Sequence, residues 1–405
     1  MGFFDLFKSR PSTHKFAQIV IKYARNQGIA HTMHFDEAEF RLIVGESGSH
    51  VLNLHNAYRD YCAATKNQRD EVLLKYTAGL QLSGIPDDFA SAKEHLMPSL
   101  KPRGQGEYLR LTALIQDKDI AYQQAALPFG EDAMLMLAYD TEHSMALVNQ
   151  SNYENWNISI EDGLKVALDN LRDRTNDHFI DLGEGVFAGV WEDAYDSSRI
   201  LLSDLIYRAG CGSDPVMMVP TRGRLLLCTA NSNSAQLRML EHAQNCMEQE
   251  GRVVSAGMYK LKDGKLISHT PANADVLESL RNLQIAQRAE DYGSQKELLE
   301  ALHEKNGEDI FVPSYTVLKN NDTDKLTSLS TWTQGVVSLL PRTDLVAMVT
   351  PSGQEGEYTS KILSWQDLHS IAGALLQVVE GYPERFLVTG FPEQDQLDGA
   401  PESTL

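Results

Sequence analysis

The sequence predicts an α+β fold in which recurring β-hairpin–α-helix units form antiparallel or mixed sheets covered by helices. Three observations lead to this class: apolar segments recur in pairs with hairpin spacing, a helix signal follows each pair, and the turns within pairs are too short for a parallel crossover. The hairpins are predicted at 39–54, 132–148, 214–230 and 344–362, and the helices after them start near Asn56, Ser159, Ser234 and Ser364.

The N-terminal part of the chain is predicted to begin with a helix over 13–27. Phe16 and Ile19 share one face of that helix, and Gly28 is well placed to end it. Prolines and polar helical pieces in 82–130 indicate a helical connector. Three short strands and a long helix are predicted between these two parts, at 31–35, 40–44, 51–54 and 57–80.

The central part carries the clearest local signals. The run 133–138 is apolar on both faces, which is typical of a central strand. Ser159, with an acidic residue three positions later, is a capping box that starts a helix. A strand over 186–191 leads into a helix that ends near Ala209. A further hairpin turns at 263–264, an Asp-Gly pair typical of a type I′ turn.

The C-terminal part is predicted to contain two helices, near 275–289 and 295–303, with Ser294 capping the second. Ser364 begins another amphipathic helix after the last hairpin. From 392 the chain is acidic and polar, which predicts disorder. The predicted domains are an N-terminal hairpin–helix domain at 1–81, a helical connector at 82–130, a central α+β domain at 131–270, a C-terminal α+β domain at 271–391 and a disordered acidic tail at 392–405.

The composition indicates a cytoplasmic protein that does not bind nucleic acid. The formal net charge is −20, whereas a sequence-independent grip on nucleic acid needs a basic face. The four cysteines lie far apart without a Cys-x-x-Cys pair, so neither a zinc-ligand set nor a disulfide framework is expected. No apolar run approaches the roughly 20 residues of a membrane span.

The first nine residues are rich in large apolar side chains and lack the pattern of a signal peptide. One interpretation is a short hook for a membrane or a partner protein. The other is a segment that docks on its own domain. The apolar residues in question are Phe3, Phe4, Leu6 and Phe7.

No catalytic, cofactor or metal motif stands out in the sequence. The Gly-rich stretch 210–215 fails the dinucleotide fingerprint because its last position is Pro215. His31 and His34 would point to opposite faces of a strand, so we do not expect them to share a metal ion. Residues 320–324 lack the Gly and the closing Glu of a calcium loop. We therefore expect no cofactor and no metal.

The main candidate site lies where the strand over 186–191 meets the following helix. Amides at such a junction can bind anions, and hydroxyl, carboxylate and guanidinium groups accompany them here. A competing interpretation is structural: Asp196 or Ser197 caps the helix, and an Arg–Asp ion pair pins the loops. The candidate ligand-binding residues are Asp193, Asp196, Ser197, Ser198, Arg199 and Arg222.

The same stretch resembles the YtpQ-like family of bacterial proteins of unknown function. The resemblance is carried by Trp-Glu-Asp-Ala-Tyr-Asp-Ser-Ser-Arg-Ile-Leu at 191–201 and by Asp-Pro-Val-Met-Met-Val-Pro at 214–220. It covers residues 30–262 in element order. It implies a bacterial, cytosolic protein. Because the family has no established activity or site, the resemblance implies no functional residue.

Three functions are compatible with the sequence. The first is a non-catalytic protein- or ligand-binding module, acting on an unidentified protein partner or small ligand. The second is a hydrolase or transferase whose site assembles around Asp193, Asp196, Arg199 and Arg222. The third is a peripheral membrane-associated scaffold held by residues 1–9. The sequence specifies neither the ligand nor the oligomeric state.

Overall fold

The computed structural model resolves two compact units. Unit 1 is Met1–Met97 with Ala138–Val148, and unit 2 is Pro98–Leu137 with Asn149–Leu405. The predicted central and C-terminal domains therefore belong to one unit. The residues that the structure describes are 10–29, 32–37, 39–44, 50–77, 85–117, 125–141, 145–352 and 357–404.

Unit 1 combines a three-stranded antiparallel sheet with helices. The helix α1 begins after Ser12, whose hydroxyl accepts a hydrogen bond from Lys15 N, and it buries Phe16 and Val20 in one cluster with Leu42 of the sheet. The helices are α1 (Thr13–Asn26), α2 (Leu54–Ala63), α3 (Arg69–Thr77) and α4 (Phe89–Ala92). The sheet has the order β1-β2-β3, with β1 (Met33–Asp36), β2 (Arg41–Val44) and β3 (His50–Asn53).

The helix predicted over 57–80 is instead two helices, α2 and α3. Ala64 adopts an extended backbone (φ −69°, ψ 146°) and ends α2. Thr65 then forms reciprocal hydrogen bonds with Gln68 and caps the short 3-10 helix Lys66–Gln68, which leads into α3. A threonine hydroxyl can accept a hydrogen bond from the first amides of a helix, so a new helix can begin there. Residues 78–80 lie outside the described residues.

The described residues between 96 and 147 form four strands and a helix. The strand β5 pairs antiparallel with the first half of β6, and β7 pairs antiparallel with its last residues. The elements are β4 (Leu96–Pro102), α5 (Arg103–Ile115), β5 (Leu127–Phe129), β6 (Ala133–Asp140) and β7 (Met145–Leu147).

The centre of unit 2 is a six-stranded antiparallel sheet. Its strands are β8 (Phe179–Gly183), β9 (Val186–Gly189), β10 (Pro215–Met218), β11 (Leu225–Thr229), β12 (Tyr259–Lys262) and β13 (Lys265–Ser268), in the order β13-β12-β10-β11-β9-β8. Its helices are α6 (Gln150–Trp156), α7 (Ile160–Asp173), α8 (Ser203–Arg208), α9 (Asn233–Glu250) and α10 (Ala274–Asn306).

Each face of this sheet carries a hydrophobic cluster over its central strands. Alternate residues of a strand point to opposite sides, so each strand contributes to both clusters. On one face, Val216 and Leu226 pack in a cluster with Met239 of α9 and Leu280 of α10. On the other face, the alternate residues Met217, Leu225 and Leu227 pack with Leu100, Phe129 and Ile206. The second cluster includes Ile200 and packs against Trp191, both next to the candidate site residues in the chain.

The C-terminal part of unit 2 adds two sheets. One has the order β14-β15-β17-β18, in which β15 and β17 run parallel; the other has the order β16-β20-β19. The strands are β14 (Thr316–Lys319), β15 (Leu326–Thr333), β16 (Ser338–Pro341), β17 (Leu345–Pro351), β18 (Tyr358–Ser364), β19 (Gln377–Val379) and β20 (Arg385–Val388). The last helices are α11 (Trp365–Ala372) and α12 (Gln394–Gly399).

The described residues confirm the predicted α+β class and its hairpin–helix units. The pairs β2–β3, β6–β7, β10–β11 and β17–β18 are antiparallel, and α2, α7, α9 and α11 follow them, with the short α6 inserted before α7. Ser159, Ser232 and Ser364 each accept a first-turn amide. Asp263 and Gly264 both have positive φ (51° and 73°), as the predicted type I′ turn requires.

The helix α10 replaces the two helices that were predicted near 275–289 and 295–303. It is continuous for 33 residues, and Ser294 does not cap a new helix. The hydroxyl of Ser294 instead donates a hydrogen bond to Asp291 O within α10. Because α10 contacts α9, α5 and β15, it connects the two parts of unit 2 that the sequence assigned to separate domains.

The predicted disordered tail at 392–405 contains a packed helix in the structure. In α12, Leu397 is buried in one cluster with Trp332 and Val388. The Lys361 ammonium donates a hydrogen bond of 2.7 Å to Leu397 O. Two apolar residues, Leu397 and Ala400, thus order a segment whose composition is otherwise polar.

Replacing Leu397 with Ala should lower the free energy of unfolding of unit 2 by about 2–4 kcal/mol, because it removes a buried side chain and leaves a cavity. Urea unfolding followed by tryptophan fluorescence measures this, since the four tryptophans lie in unit 2. The matched control is Asp395→Ala on the exposed side of α12, where a change within about 0.5 kcal/mol is expected. Equal effects of the two changes would mean that α12 does not pack as described.

Candidate functional site

The junction between β9 and α8 is a tightly turned loop that leads into the 3-10 helix Ser197–Leu201. Glu192 and Ala194 have left-handed backbones, with φ of 56° and 71°, a region that residues with a side chain rarely adopt. Gly189 makes room for the loop, because a Cβ there would lie 2.1 Å from Trp191 Cζ3. The indole N–H of Trp191 donates to Asn176 O at 2.9 Å and so anchors the ring.

Arg199 is the centre of the junction and is completely buried. Its Nη1 and Nη2 donate to the two carboxylate oxygens of Asp193, at 2.8 and 2.6 Å. Its Nε donates to Thr175 Oγ1 at 2.9 Å. The guanidinium carbon lies 4.4 Å from the ring centre of Trp191. The group is thus fully engaged by a bidentate carboxylate, a hydroxyl and an aromatic face.

Asp193 is the partly exposed half of this ion pair, with 36% of its side chain accessible. Burial alone would raise the pKa of its carboxyl group. The hydrogen bonds and the positive charge of Arg199 outweigh that effect and hold the pKa below its ordinary value. Asp193 Oδ1 also accepts a hydrogen bond from Tyr195 N at 3.0 Å. The carboxylate is therefore an ionised structural acceptor.

Asp196, one of the two caps that the structural interpretation of the sequence allowed, does not cap the following helix. No side-chain cap hydrogen bond is formed there, because Asp196 Oδ1 accepts instead from Trp191 N (2.8 Å) and Glu192 N (3.2 Å). The carboxylate thus closes the preceding loop. Burial raises its pKa despite these amides. Its Oδ2 has no hydrogen-bond partner among the described residues.

The two serines are also buried, each with 1% exposure. Ser197 N donates to Arg222 O at 3.2 Å, and Ser198 N donates to Tyr195 O at 3.0 Å. Arg222 is half-buried, and its Nε donates to Ala194 O at 2.9 Å. Arg222 thus ties the turn after β10 to the junction.

The structure brings all six predicted residues together, but they do not share one accessible surface. Asp196, Ser197, Ser198 and Arg199 are buried, whereas Asp193 and Arg222 reach the surface. The buried residues interact with groups of the protein itself. Arg199 forms a bidentate ion pair, and the Asp196 carboxylate accepts hydrogen bonds from backbone amides. This arrangement can hold the loops in place, with the half-buried Arg222 at its edge.

Two residues that the sequence did not single out lie beside Arg222. Burial, together with the charges of Arg222 and Arg252, lowers the pKa of the Lys101 ammonium to about 8. Lys101 lies 121 residues before Arg222, so no local pattern connects them. The one feature of the local sequence that indicates a basic segment here is the Lys-Pro-Arg run at 101–103.

A second polar network links the loop after β5 to the segment before β12. The Asp132 carboxylate accepts from Ser255 Oγ and from Ala256 N, both at 2.7 Å. The hydroxyl of Ser255 also lies 2.7 Å from the Tyr259 hydroxyl. Burial raises the pKa values of Asp132 and Tyr259. Ser255 and Tyr259 are almost fully buried, so this network joins distant chain segments inside unit 2.

Asp291 is a buried carboxyl group on α10, with 8% exposure. Burial, supported by the charges of Asp132 and Glu290, raises its pKa to about 7. The helix α5 approaches α10 closely here, because a Cβ at Gly104 would lie 2.0 Å from Asp291 Oδ1. The carboxyl group is thus shielded by backbone.

In unit 1, an open groove lies between α1 and β1. It contains His34, one of the two histidines considered above as metal ligands; His31 lies outside the described residues. Within the ranges that the structure describes, no three His, Cys, Asp or Glu side chains gather in a way that could hold a metal ion. The groove is lined by His14, Gln18, Ile21, Arg25, Met33, His34, Phe35 and Glu37.

None of the helices among the described residues combines the length and the apolar character needed to cross a bilayer. No protein-family model, no curated protein and no solved structure gives a match to this chain.

Proposed function

We propose that this chain is a non-catalytic protein- or ligand-binding protein of the bacterial cytosol, and that Arg222 belongs to its binding surface. We also propose that the chain is related to the YtpQ-like family, which its sequence resembles. The observation that carries it is the state of Arg199, which is completely buried and held by Asp193, Thr175 and Trp191. These contacts hold the junction in a fixed conformation. Arg222, which contacts the junction through Ala194 O, belongs to the surface next to it.

The same observation argues against a hydrolase or transferase built on these residues. A catalytic carboxylate must reach a substrate atom with a suitable proton affinity. Asp193 instead forms two short hydrogen bonds to Arg199, and Asp196 is fully buried on backbone amides. The geometry therefore favours binding over acid–base chemistry at this junction. The alternative of a membrane-associated scaffold depends on residues 1–9, which lie outside the described residues.

Affinity capture with the full chain as bait, from a lysate of the source organism, tests this proposal. Arg222→Met should lose at least one specific ligand or protein that the wild type retains, because the change removes a charge at the proposed surface. Arg238→Met is the matched control: Arg238 lies on α9, 40% exposed, in an ion pair with Glu241. Mass spectrometry of the captured material gives the readout, and thermal unfolding verifies that each variant is folded.

Two results would contradict the proposal. One is an identical set of captured molecules for the wild type and Arg222→Met. The other is substrate turnover by the purified chain that Asp193→Asn abolishes without unfolding it, since that result would make the junction catalytic.

A further inference from the structure

The strand β18 lies at the edge of its sheet, and half of its backbone groups point away from the sheet. In the order β14-β15-β17-β18, it pairs with β17. Directly before β18, Ser352 N donates to Glu357 O at 2.9 Å, so Glu357 and every second residue after it face β17. Because an antiparallel ladder alternates in this way, the N–H and C=O groups of Tyr358, Ser360 and Ile362 face outward.

Most of these outward groups have no partner. Among the residues that the structure describes, the N–H and C=O groups of Tyr358 and Ser360 form no hydrogen bond, and neither does Ile362 N. Ile362 O accepts a hydrogen bond of 2.8 Å from Ser403 N, in the segment after α12. A backbone donor from outside the sheet thus already reaches this edge, so the edge is accessible to another extended segment.

The strand β18 also lacks the features that usually prevent edge strands from pairing. Protected edge strands are short, contain a bulge or Pro, or carry an outward Lys. In contrast, β18 has seven residues without Pro and forms seven consecutive pairs with β17, whereas β14 at the opposite edge has four residues. The ammonium of Lys361 donates to Leu397 O and Asp398 O, so it is directed toward α12.

The side chains along the open edge indicate what kind of strand would fit. Tyr358, Ser360 and Ile362 lie on one face of the sheet, because alternate residues of a strand share a face. Tyr358 is 63% exposed, and Ile362 is half-buried. Aromatic and β-branched residues stabilise a strand pair when apolar side chains lie opposite them. The edge therefore favours a strand with alternate apolar residues.

Carboxylates lie at both ends of the open edge. Glu357 comes directly before Tyr358 at one end, and Glu402 comes directly before Ser403 at the other. Both acidic side chains are exposed, and neither takes part in an ion pair within the part of the chain that the structure describes. Their charges favour a segment with basic residues at its ends.

We propose that the open edge of β18 binds an extended, basic segment of a partner protein, which joins the sheet as an additional strand. The outward groups of Tyr358 and Ser360 supply the backbone hydrogen bonds, as in other cases of strand addition. Apolar side chains of the segment pack on Tyr358 and Ile362, and its terminal basic residues lie near Glu357 and Glu402. This surface does not include Arg222, so the inference goes beyond the proposed function and does not depend on it.

Fluorescence anisotropy with the full chain and a labelled peptide tests the proposal. The probe peptide is Lys-Lys-Val-Thr-Val-Thr-Val-Lys-Lys. One comparison peptide carries Pro at the two residues on either side of the central Val, and another carries Glu in place of every Lys. We expect saturable binding of the probe, binding of the proline peptide that is weaker by about tenfold or more because proline has no N–H, and weaker binding of the glutamate peptide at low salt.

The variant Ser360→Pro tests the edge from the side of the protein, and Ser360→Ala is its matched control. Proline removes the outward N–H of residue 360, and an edge strand tolerates it where the N–H faces solvent. We expect about tenfold weaker binding of the probe by Ser360→Pro. Ser360→Ala keeps the N–H and should bind like the wild type. Thermal unfolding verifies that each variant is folded, and if Ser360→Pro is not, the proline peptide with the wild type decides the question.

Four results would overturn the proposal. The wild type could fail to bind the probe saturably, or it could bind the probe and the proline peptide equally well. Folded Ser360→Pro could bind the probe as tightly as the wild type. Equal binding of the lysine and glutamate peptides would contradict the basic character of the segment. A wild-type dimer in analytical ultracentrifugation that Ser360→Pro converts to a monomer would assign the edge to a second copy of the chain and would also contradict the proposal.

Discussion

Arg199→Met is expected to lower the free energy of unfolding of unit 2 by about 3 kcal/mol, the lower end of the range for breaking a buried ion pair. The change removes the two guanidinium donors from the Asp193 carboxylate and leaves Thr175 Oγ1 without its guanidinium partner. The loss stays at the lower end because Asp193 is 36% exposed and water can solvate it. Urea unfolding followed by tryptophan fluorescence measures the difference.

The control for this prediction is an exposed ion pair of the same chemistry. On α7, Arg172 Nη1 lies 2.9 Å from Asp169 Oδ1, and the two side chains are 51% and 76% exposed. Arg172→Met should change stability by about 1 kcal/mol or less. If Arg199→Met proved as mild as Arg172→Met, the junction would not be a structural network.

The sequence located this junction but could not determine what its residues do. The run 193–199 signals a strand-to-helix junction with a nearby Arg and Asp, and both a binding site and a loop-pinning ion pair fit that pattern. The decision depends on Thr175 and Trp191, which enclose the guanidinium. The Thr175 contact joins the segment after α7 to the junction across 24 residues of sequence, and local pattern carries no information on it.

Asp291→Asn is expected to stabilise unit 2 increasingly as the pH rises. In the folded wild type the carboxyl group has a pKa of about 7, raised by burial from the ordinary value of 3.8. The unfolded chain releases this proton near pH 4, so between about pH 4 and 7 the folded state holds the proton and the unfolded state does not. The wild type therefore loses stability as the pH rises through this window, by up to about 1.4 kcal/mol per pH unit.

The asparagine variant has no proton to lose at this position. Its stability relative to the wild type should thus grow by about 2–4 kcal/mol between pH 5 and pH 8. Urea unfolding at a series of pH values measures the difference. Glu297→Gln is the control, because Glu297 is an exposed residue of α10 whose charge is not among those that raise the pKa of Asp291; its stability should follow the wild type across the series. A pH-independent difference for Asp291→Asn would show that the carboxyl group keeps its ordinary pKa.

The helices show where sequence patterns are informative and where they fail. Caps such as Ser159 and Ser364 depend on the adjacent amides alone, and the structure confirms them. The continuity of α10 was missed because Ser294 can either cap a helix or bond within one, and contacts with α5 and β15 favour the second. The packing of α12 was missed because Leu397 finds its partners in distant strands.

The central claim is that Asp193 and Arg199 act on each other as a structural pair. A double-mutant cycle tests it most directly, with Asp193→Asn, Arg199→Met and the combined variant compared by urea unfolding. The predicted coupling energy is about 2 kcal/mol, because either single change already removes the bidentate contact. A coupling energy of about zero, with additive losses from the two changes, would contradict the claim and return both residues to the list of candidates for ligand contact.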